Sequence, residues 1–429
     1  MIDPRDGTVD AWAVVDLGFG DAGKGSVVDF LVRDRGAGLV VRFNGGAQAG
    51  HNVVTADGRH HTFAQFGAGS FVDGVQTHLG AAFVLHPGGL AVEARRLERV
   101  GVADPLGRLT VDARAAVITP FQQAACRLRE LGRGPRAHGT TGVGVGEVRL
   151  DEASGCDDGV TAADLRSVDG LRTKLERQRA RKLEEMAELR YLPGADDEYA
   201  VLADRGMVQI VLETWRSIPI AVLDPEASRE RIAAARRVVL EGAQGVLLDQ
   251  RWGFHPHTTW SDCTFAGALA EVPDRAVCRL GVTRAYATRH GLGPFPTGCD
   301  WRLPEPHNAS DGWQGDFRVG PLDGVLLRYA RQVVGSVDGV VVTCVDRVAE
   351  VPEWQVCVGY DTPEGPIDDL ELGEPDDWAW REALGQQLAS VQPRLAALDP
   401  VPYVAEVVQA PVVLTSVGPT ASDKRWQGR

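Results

Sequence analysis

A Gly-rich turn between an apolar strand and a helix constrains this chain more than any other feature. Residues 11–17 (Ala-Trp-Ala-Val-Val-Asp-Leu) read as a buried strand. Gly18-Phe19-Gly20-Asp21-Ala22-Gly23-Lys24 follows with the spacing GxxxxGK. In a phosphate loop that spacing lets backbone N–H groups wrap a phosphate, while the lysine offers a point charge to its oxygens. Ser26 and the residues to 32 have helical composition, so the unit is strand, phosphate loop, helix. The residue after Lys24 is Gly25, where a standard loop carries Ser or Thr as a magnesium ligand. The metal oxygen must then come from elsewhere, and Asp21 is the obvious donor. The plainer reading of Asp21, a helix cap or a counter-charge for Lys24, stays open on this motif alone.

Residues 39–43 (Leu-Val-Val-Arg-Phe) form a second short apolar run. They deliver Asn44-Gly45-Gly46 and a second Gly-rich loop with Gln48, Gly50 and His51. Two loops at strand ends define a ligand crevice. Further strands are expected at 83–85, 238–240, 279–282 and 340–344, with helices at 89–100 and 121–131 between them. Such alternation predicts an α/β fold with a mostly parallel central sheet and flanking helices. Residues 171–189, dense in Arg, Lys and Glu, read as a solvated helix without chemistry. Residues 304–315 read as a polar loop, and 361–377 are strongly acidic. With no internal repeat or long low-complexity linker, the expectation is one large domain over 1–429, with helical and loop excursions at about 90–235 and 300–320.

Composition excludes several classes. A chain of 429 residues, 44% hydrophobic, can bury a substantial core. A net charge of -14 argues against a surface that holds a nucleic-acid backbone, yet permits a local anion pocket. Seven cysteines without a CxxC pair fit reduced thiols rather than a disulfide framework. Residues 1–10 carry acids and no apolar signal core, and no run approaches the ~20 apolar residues of a membrane span. A cytoplasmic protein with no membrane or nucleic-acid partner is expected. His255, His257 and Cys263 match no standard zinc spacing, and His60 and His61 read as ordinary polar residues.

The loop 18–26 resembles that of the adenylosuccinate synthetase family, which has the form GDEGKGK after a strand. Arg42-Phe43-Asn44-Gly45-Gly46-Ala47-Gln48-Ala49-Gly50-His51 is similar to the family's GGHNAGH segment, and Gly139-Thr140-Thr141-Gly142 to its GTTG. Glu241-Gly242-Ala243-Gln244-Gly245 through Leu248-Asp249 resembles EGAQGxLLD. Ala285-Tyr286-Ala287-Thr288-Arg289 and Gly293-Pro294-Phe295-Pro296-Thr297 resemble AYxTR and GPFPT. With Thr343-Cys344-Val345-Asp346 and Ser416-Val417-Gly418-Pro419, the blocks run in the family's order over nearly the whole chain.

The resemblance implies a purine-nucleotide C–N ligase, in which a nucleoside triphosphate phosphorylates the 6-oxo group of an IMP-like nucleotide and the amine of aspartate displaces the phosphate. Asp21 would be the base that removes the lactam proton, and His51 the acid or stabiliser of the phosphoryl group. Gly20, Gly23, Lys24, Gly25, Ser26, Asp346 and Gly418 would hold the triphosphate nucleotide, with Asp346 reading guanine N1 and N2. Gln48, Thr140, Thr141, Gln244, Leu248, Thr259 and Arg318 would hold substrate. Magnesium would be bound by Asp21 and the Gly50 carbonyl. The family also implies a homodimer that lends an arginine across the interface.

Four departures cluster in the substrate pockets. The family's His-Asn is Ala47-Gln48, and its TKLD is Thr343-Cys344-Val345-Asp346, so the lysine along the guanine plane is absent and ATP stands beside GTP as donor. The family's arginine-rich loop ATTGRRRRTG, which grips aspartate, is replaced over residues 311–320, where Arg318 alone aligns. Gly146 leads into Glu147-Val148-Arg149, with Arg149 the one candidate for the exchanged arginine. Losing cationic forks from a carboxylate site changes its ligand. The expectation is a divergent paralogue with intact phosphoryl-transfer residues, whose purine or amine substrate can differ, as in modified-nucleotide or specialised-metabolite synthesis. A nucleotide-binding protein without ligation is the third reading. A variant family acting on guanine nucleotides replaces the loop aspartate, so the presence of Asp21 favours a hypoxanthine-like ring.

Overall fold

The computed structural model describes residues 2–306, 313 and 315–428. Among the described residues ten strands form the central sheet: β1 (Ala11–Asp16), β2 (Leu39–Arg42), β3 (Gln76–Leu79), β4 (Leu109–Asp112), β5 (Ala221–Leu223), β6 (Val238–Glu241), β7 (Val277–Arg284), β8 (Gly339–Thr343), β9 (Val412–Ser416) and β10 (Lys424–Trp426). Their order across the sheet is β10-β9-β8-β7-β1-β6-β2-β3-β4-β5. Every pairing is parallel except the antiparallel edge β9/β10.

Alternation along the strands explains the layering. Trp12, Val14, Val40, Val239, Leu280 and Val341 enter one buried cluster. Their neighbours Ala11, Ala13, Val15, Val41, Leu240 and Val342 enter the other, on the opposite face. A parallel sheet covered on both faces needs such continuous apolar strands. Because the nine parallel strands share a direction, their carboxyl ends open on one edge, which is where open α/β sheets bind ligands.

Helix α1 (Lys24–Arg35) follows β1 and ends at Gly36 in the left-handed conformation. Helices α2 (Pro87–Arg99), α3 (Pro120–Arg133), α4 (Val145–Ala153) and α5 (Val168–Glu185) lie between β3 and β5 in sequence, with β4 inserted among them. Thr119 caps α3 through a capping box with Gln122.

The charge-rich α5 departs from the expectation of a solvated helix, since it buries Leu171, Leu175, Gln178 and Lys182. The Lys182 ammonium, fully out of solvent, lies 2.5 Å from Glu147, 2.7 Å from Asp151 and 3.1 Å from Glu185. Part of the charge is therefore an internal lock between α4 and α5, invisible to a periodicity reading because its partners are 35 and 31 residues away. Removing one partner of a buried ion cluster costs about 3 kcal/mol or more. Lys182→Met is expected to lower the thermal midpoint by several degrees in a calorimetric melt, and an unchanged midpoint would show the cluster to be energetically idle.

The strand expected at 83–85 is present, but outside the central sheet. Val84–Leu85 pairs in parallel with Ala116–Val117 as a separate two-stranded sheet. Sequence reading overlooked β3, β4, β5, β9 and β10; β9 is an apolar Val-Val-Leu-Thr-Ser strand that the reading passed over, whereas the others are short or polar, β3 being Gln-Thr-His-Leu and β10 Lys-Arg-Trp. Sheet neighbours rather than composition fix them. Among the described residues no helix is long and apolar enough to cross a membrane.

Candidate active site

The loop after β1 is built on left-handed residues. Gly20, Asp21 and Gly23 have φ of 93°, 60° and 87°. A non-Gly residue there is strained, and two contacts hold the turn. Arg284 Nε donates to the Asp21 carbonyl at 2.6 Å, and Thr343 Oγ1 donates to the Ala22 carbonyl at 2.8 Å. Arg284 is itself fixed by Tyr286 and Glu305. Ser26 Oγ turns back to the Gly23 carbonyl at 2.9 Å. Lys24 is buried, and its ammonium meets Asp16, the last residue of β1, at 3.0 Å.

Among the described residues no hydrogen bond reaches the Asp21 carboxylate. Burial pushes its pKa up, Arg284 and Lys24 pull it down, and Asp16 adds to the rise, leaving it above the ordinary carboxylate value. Such a group is poised to take a proton or to meet a hard cation.

The second loop supplies His51, the first residue of a hairpin strand (His51–Val54). A Cβ on Gly25 would lie 2.7 Å from His51 Cβ, so the glycine standing where phosphate loops carry Ser or Thr is the room that His51 occupies. His51 Nδ1 lies 2.5 Å from Glu241 Oε1, and the Ala68 N–H donates to Glu241 Oε2 at 3.0 Å. Glu241 ends β6 beside Arg42 of β2. Burial would raise the Glu241 pKa, but Arg42, His51 and the Ala68 amide outweigh it and hold it below the usual range. Burial, helped by Arg42 and Lys24, pushes His51 down to about 4 against the pull of Glu241. The free protein thus holds a neutral imidazole with Nδ1–H donated to a carboxylate and Nε2 left over. Glu241→Gln replaces that acceptor by a neutral amide, and turnover is expected to fall about tenfold to a hundredfold, the usual worth of an orienting carboxylate. Wild-type turnover in the variant would deny Glu241 a part in orienting the ring.

The expected substrate residues fall into two groups. Among the described residues, both ends of the buried Gln48 amide and Oε1 of Gln244 lack hydrogen-bond partners, and the two side chains flank Gly45 and Gly46. A buried polar group in that state calls for an explanation, and a bound ligand or water would supply one. Leu248 and Thr259 are tied to each other, the Thr259 N–H donating to the Leu248 carbonyl at 2.7 Å. Gly245 packs so tightly on the phosphate loop that a Cβ would sit 2.2 Å from the Gly18 carbonyl oxygen, which brings Gln244 to the edge of that loop.

The others are already engaged within the chain. Gly139 and Thr140 donate their amides to Glu130 at 2.7 and 3.2 Å, and the Thr140 hydroxyl accepts from the Gly142 N–H at 3.3 Å and lies 3.5 Å from Cys126 Sγ, so of these groups the Thr141 hydroxyl alone makes no hydrogen bond among the described residues. Arg318 Nη2 donates to the Gly291 and Gly293 carbonyls at 2.6 and 3.1 Å. Asp346 has Arg347 3.4 Å away. Gly418, which could not carry a Cβ beside Asp423, accepts from Ser416 Oγ at 2.8 Å. Gly50 is exposed just before His51. Arg149 spends its guanidinium on Glu152 and the Ala82 carbonyl. His255 and His257 contact the Gln250 and His138 carbonyls, and the Cys263 thiol the Ser261 carbonyl. Of the replaced arginine segment, Asp311, Gly312 and Gln314 lie outside the described residues. Beside it a cavity of about 510 Å³ is lined by His255, His257, Phe295, Arg318, Glu382 and Gln386 among others.

Sequence reading missed the supporting groups. Asp16, Glu241, Arg284 and Asn44 carry the functional residues without being among them. Asn44 ties the second loop to the chain that follows β6, donating to the Asp262 carbonyl at 2.6 Å and accepting from the Ala243 N–H at 2.7 Å. The available signal was a polar residue closing an apolar strand, which Asp16, Glu241 and Arg284 all share.

Phosphate-loop amides, a buried lysine and a carboxylate-backed imidazole at one edge of a parallel sheet define an α/β enzyme that handles a nucleotide's phosphates. The whole chain narrows that class. The family model described as adenylosuccinate synthetase matches residues 13–424. Adenylosuccinate synthetases of Sorangium cellulosum and Clostridium botulinum are 33% and 30% identical, each over 95% of this chain and 96% and 97% of their own lengths. A fully ligated adenylosuccinate synthetase from Plasmodium falciparum shares the fold, with a TM-score of 0.77, 21% identity and coverage of 98% of this chain and 100% of that one. The chain belongs to the adenylosuccinate synthetase family, and it is a C–N-bond-forming ligase. A more distant structural neighbour, the cyanophage S-2L succinoaminodeoxyadenylate synthetase bound to dGMP and dATP, has a TM-score of 0.55 at 15% identity and covers 98% of this chain and 96% of that one.

Proposed function

We propose that the chain uses GTP to phosphorylate the 6-oxo group of an IMP-like nucleotide, and that the amine of aspartate then displaces the phosphate. The interlock of the first two loops carries this reading: Gly25 lies against His51, so Asp21, Lys24 and the Glu241-backed imidazole share one end of the sheet. Asp21 takes the N1 proton of the lactam, and the ring oxygen, now negative, attacks the γ-phosphorus. The O6–P bond forms as the bond from phosphorus to the bridging oxygen breaks, and the diphosphate leaves. The amine nitrogen then attacks C6 and phosphate departs with the oxygen.

Lys24 and His51 stabilise the phosphoryl group in flight. His51 donates from Nε2 only as an imidazolium; phosphate charge in front and Glu241 behind supply the pull that its pKa of about 4 in the free protein needs. The Asp21 carboxylate and the carbonyl of the exposed Gly50 would hold magnesium, which would supply positive charge against the phosphates. The hydrogen-bond-free carboxylate fits a hard cation. Gln48 and Gln244 offer their unpartnered amides to the purine nucleotide, Asp346 reads the donor base, and the 1–429 chain acts as one catalytic unit in a homodimer in the cytoplasm.

A second reading, in which another amine replaces aspartate, is favoured by Arg318. Its Nη2 is spent on the Gly291 and Gly293 carbonyls, and the cavity beside it adds Glu382. One assay separates the readings: MgGTP or MgATP, inosinate and a panel of amines, followed by mass spectrometry and phosphate release. An aspartate adduct supports the first reading and an adduct with a different amine only the second. Nucleotide binding with neither adduct nor phosphate release, across the panel, would sink both.

A further inference from the structure

The donors that a phosphate loop offers to its nucleotide are turned, in this chain, onto a side chain of its own. Asp16 is fully buried at the end of β1. Its Oδ1 accepts from the Gly18 N–H at 2.8 Å, and its Oδ2 accepts from the Ala22 N–H at 2.9 Å and from Lys24 Nζ at 3.0 Å. Lys24 makes no other side-chain hydrogen bond or ion pair among the described residues. The pair is closed from below by β7 and β8, since Thr343 binds the Ala22 carbonyl and Arg284 the Asp21 carbonyl.

We propose that Asp16 is the resident anion of the phosphate loop: nucleotide binding exchanges Lys24 from the Asp16 carboxylate to a phosphate oxygen, and Asp16 thereby sets how weakly the chain holds its triphosphate. The inference rests on the reading of residues 18–26 as the nucleotide's phosphate site. Its physical basis is charge. A buried ammonium needs a counter-ion in the free protein, and a rigid carboxylate held by two backbone N–H groups supplies it. When the triphosphate arrives, that carboxylate stays in place because its N–H partners belong to the same tight loop. It then repels the phosphates and competes for the lysine. Affinity withheld from the bound ground state in this way leaves Lys24 free to strengthen its contact as charge moves during phosphoryl transfer. The same device recurs at the Gly139–Thr140 turn, where Glu130, nearly buried and paired with Arg133 at 2.8 Å, takes both amides. Two loops whose motifs suit anions are each occupied by a carboxylate of the chain.

The experiment is calorimetric titration of the full chain with MgGTP and MgATP. Asp16→Asn nearly keeps the shape and removes the charge, and it gives up one acceptor, since the amide nitrogen must face the Gly18 or the Ala22 N–H. It is expected to tighten binding about tenfold, the worth of one charge-assisted hydrogen bond. A residue that merely shapes the loop can only weaken binding when altered, so the direction is diagnostic. Unchanged or weaker affinity in a folded Asp16→Asn protein overturns the proposal. Should Asp16→Asn fail to fold, the neutral pair Asp16→Asn/Lys24→Met replaces it, because a buried ion pair removed together leaves no lone charge. That double variant must bind nucleotide more tightly than Lys24→Met alone; equal or weaker binding again overturns the proposal. A wild-type chain that binds neither nucleotide would instead refute the phosphate-site reading itself, and the proposal with it.

Discussion

Asp21→Asn is expected to lower nucleotide-dependent phosphate release at least about a thousandfold, within the range that a positioned base contributes, while MgGTP still binds. The substitution is nearly isosteric, so the loop need not move: its anchors are the Asp21 carbonyl on Arg284 and the Ala22 carbonyl on Thr343, neither of which involves the carboxylate. The strained φ of 60° at position 21 is, moreover, a conformation that Asn adopts as readily as Asp. What is lost first is basicity. Burial raises the Asp21 pKa, which makes it a better proton acceptor than an exposed aspartate, and Lys24 and Arg284 keep the rise in check. An amide has no such capacity. The metal contact weakens as well, so nucleotide affinity is expected to drop modestly, far less than turnover. The decisive comparison is phosphate release against calorimetric MgGTP binding in the same preparation. Full turnover in the Asn variant would remove Asp21 as the base, and a parallel collapse of binding would make its role structural.

The residues of this site were legible to very different degrees. Asp21, Lys24 and His51 stand in short contiguous motifs, because a tight turn around phosphate dictates both glycine positions and spacing within a few residues. Strands β1, β2, β6, β7 and β8 were visible for a related reason: central parallel strands must be apolar on both faces. Asp16 was in plain view two residues before the loop, yet nothing local says that its carboxylate turns inward to Lys24. Glu241 lies 190 residues from His51, and only the sheet, which sets β6 beside β2, brings the two together. Thr140 shows the opposite failure: its motif suggests available amides, and Glu130 from α3 takes them. Side-chain partners across crossovers are set by tertiary packing, which a linear motif does not encode.

That dependence on packing yields the second large effect, at Gly25. Gly25→Ser would install the residue that a standard phosphate loop uses to ligate magnesium, so a motif argument expects improvement or neutrality. Helix propensity agrees, since leaving glycine in α1 gains roughly 0.5 kcal/mol. The geometry reverses both. A Cβ at position 25 meets His51 Cβ at 2.7 Å, its carbonyl carbon at 3.1 Å and its Cα at 3.2 Å. No rotamer relieves a clash between a Cβ and backbone atoms, so His51 or the start of α1 must shift, at about 1–3 kcal/mol of strain. The His51–Glu241 contact at 2.5 Å has no slack for a movement of the order of 1 Å. Misplacing a reacting group by that much costs roughly a hundredfold in rate. Turnover of Gly25→Ser is therefore expected to fall about a hundredfold with a small loss of stability, and Gly25→Ala should match it, because the offending atom is Cβ and not the hydroxyl. Steady-state kinetics on both variants decides the matter. If Ser kept wild-type turnover while Ala lost it, the hydroxyl would be serving the metal as in a standard loop, and the steric account of this glycine would be wrong.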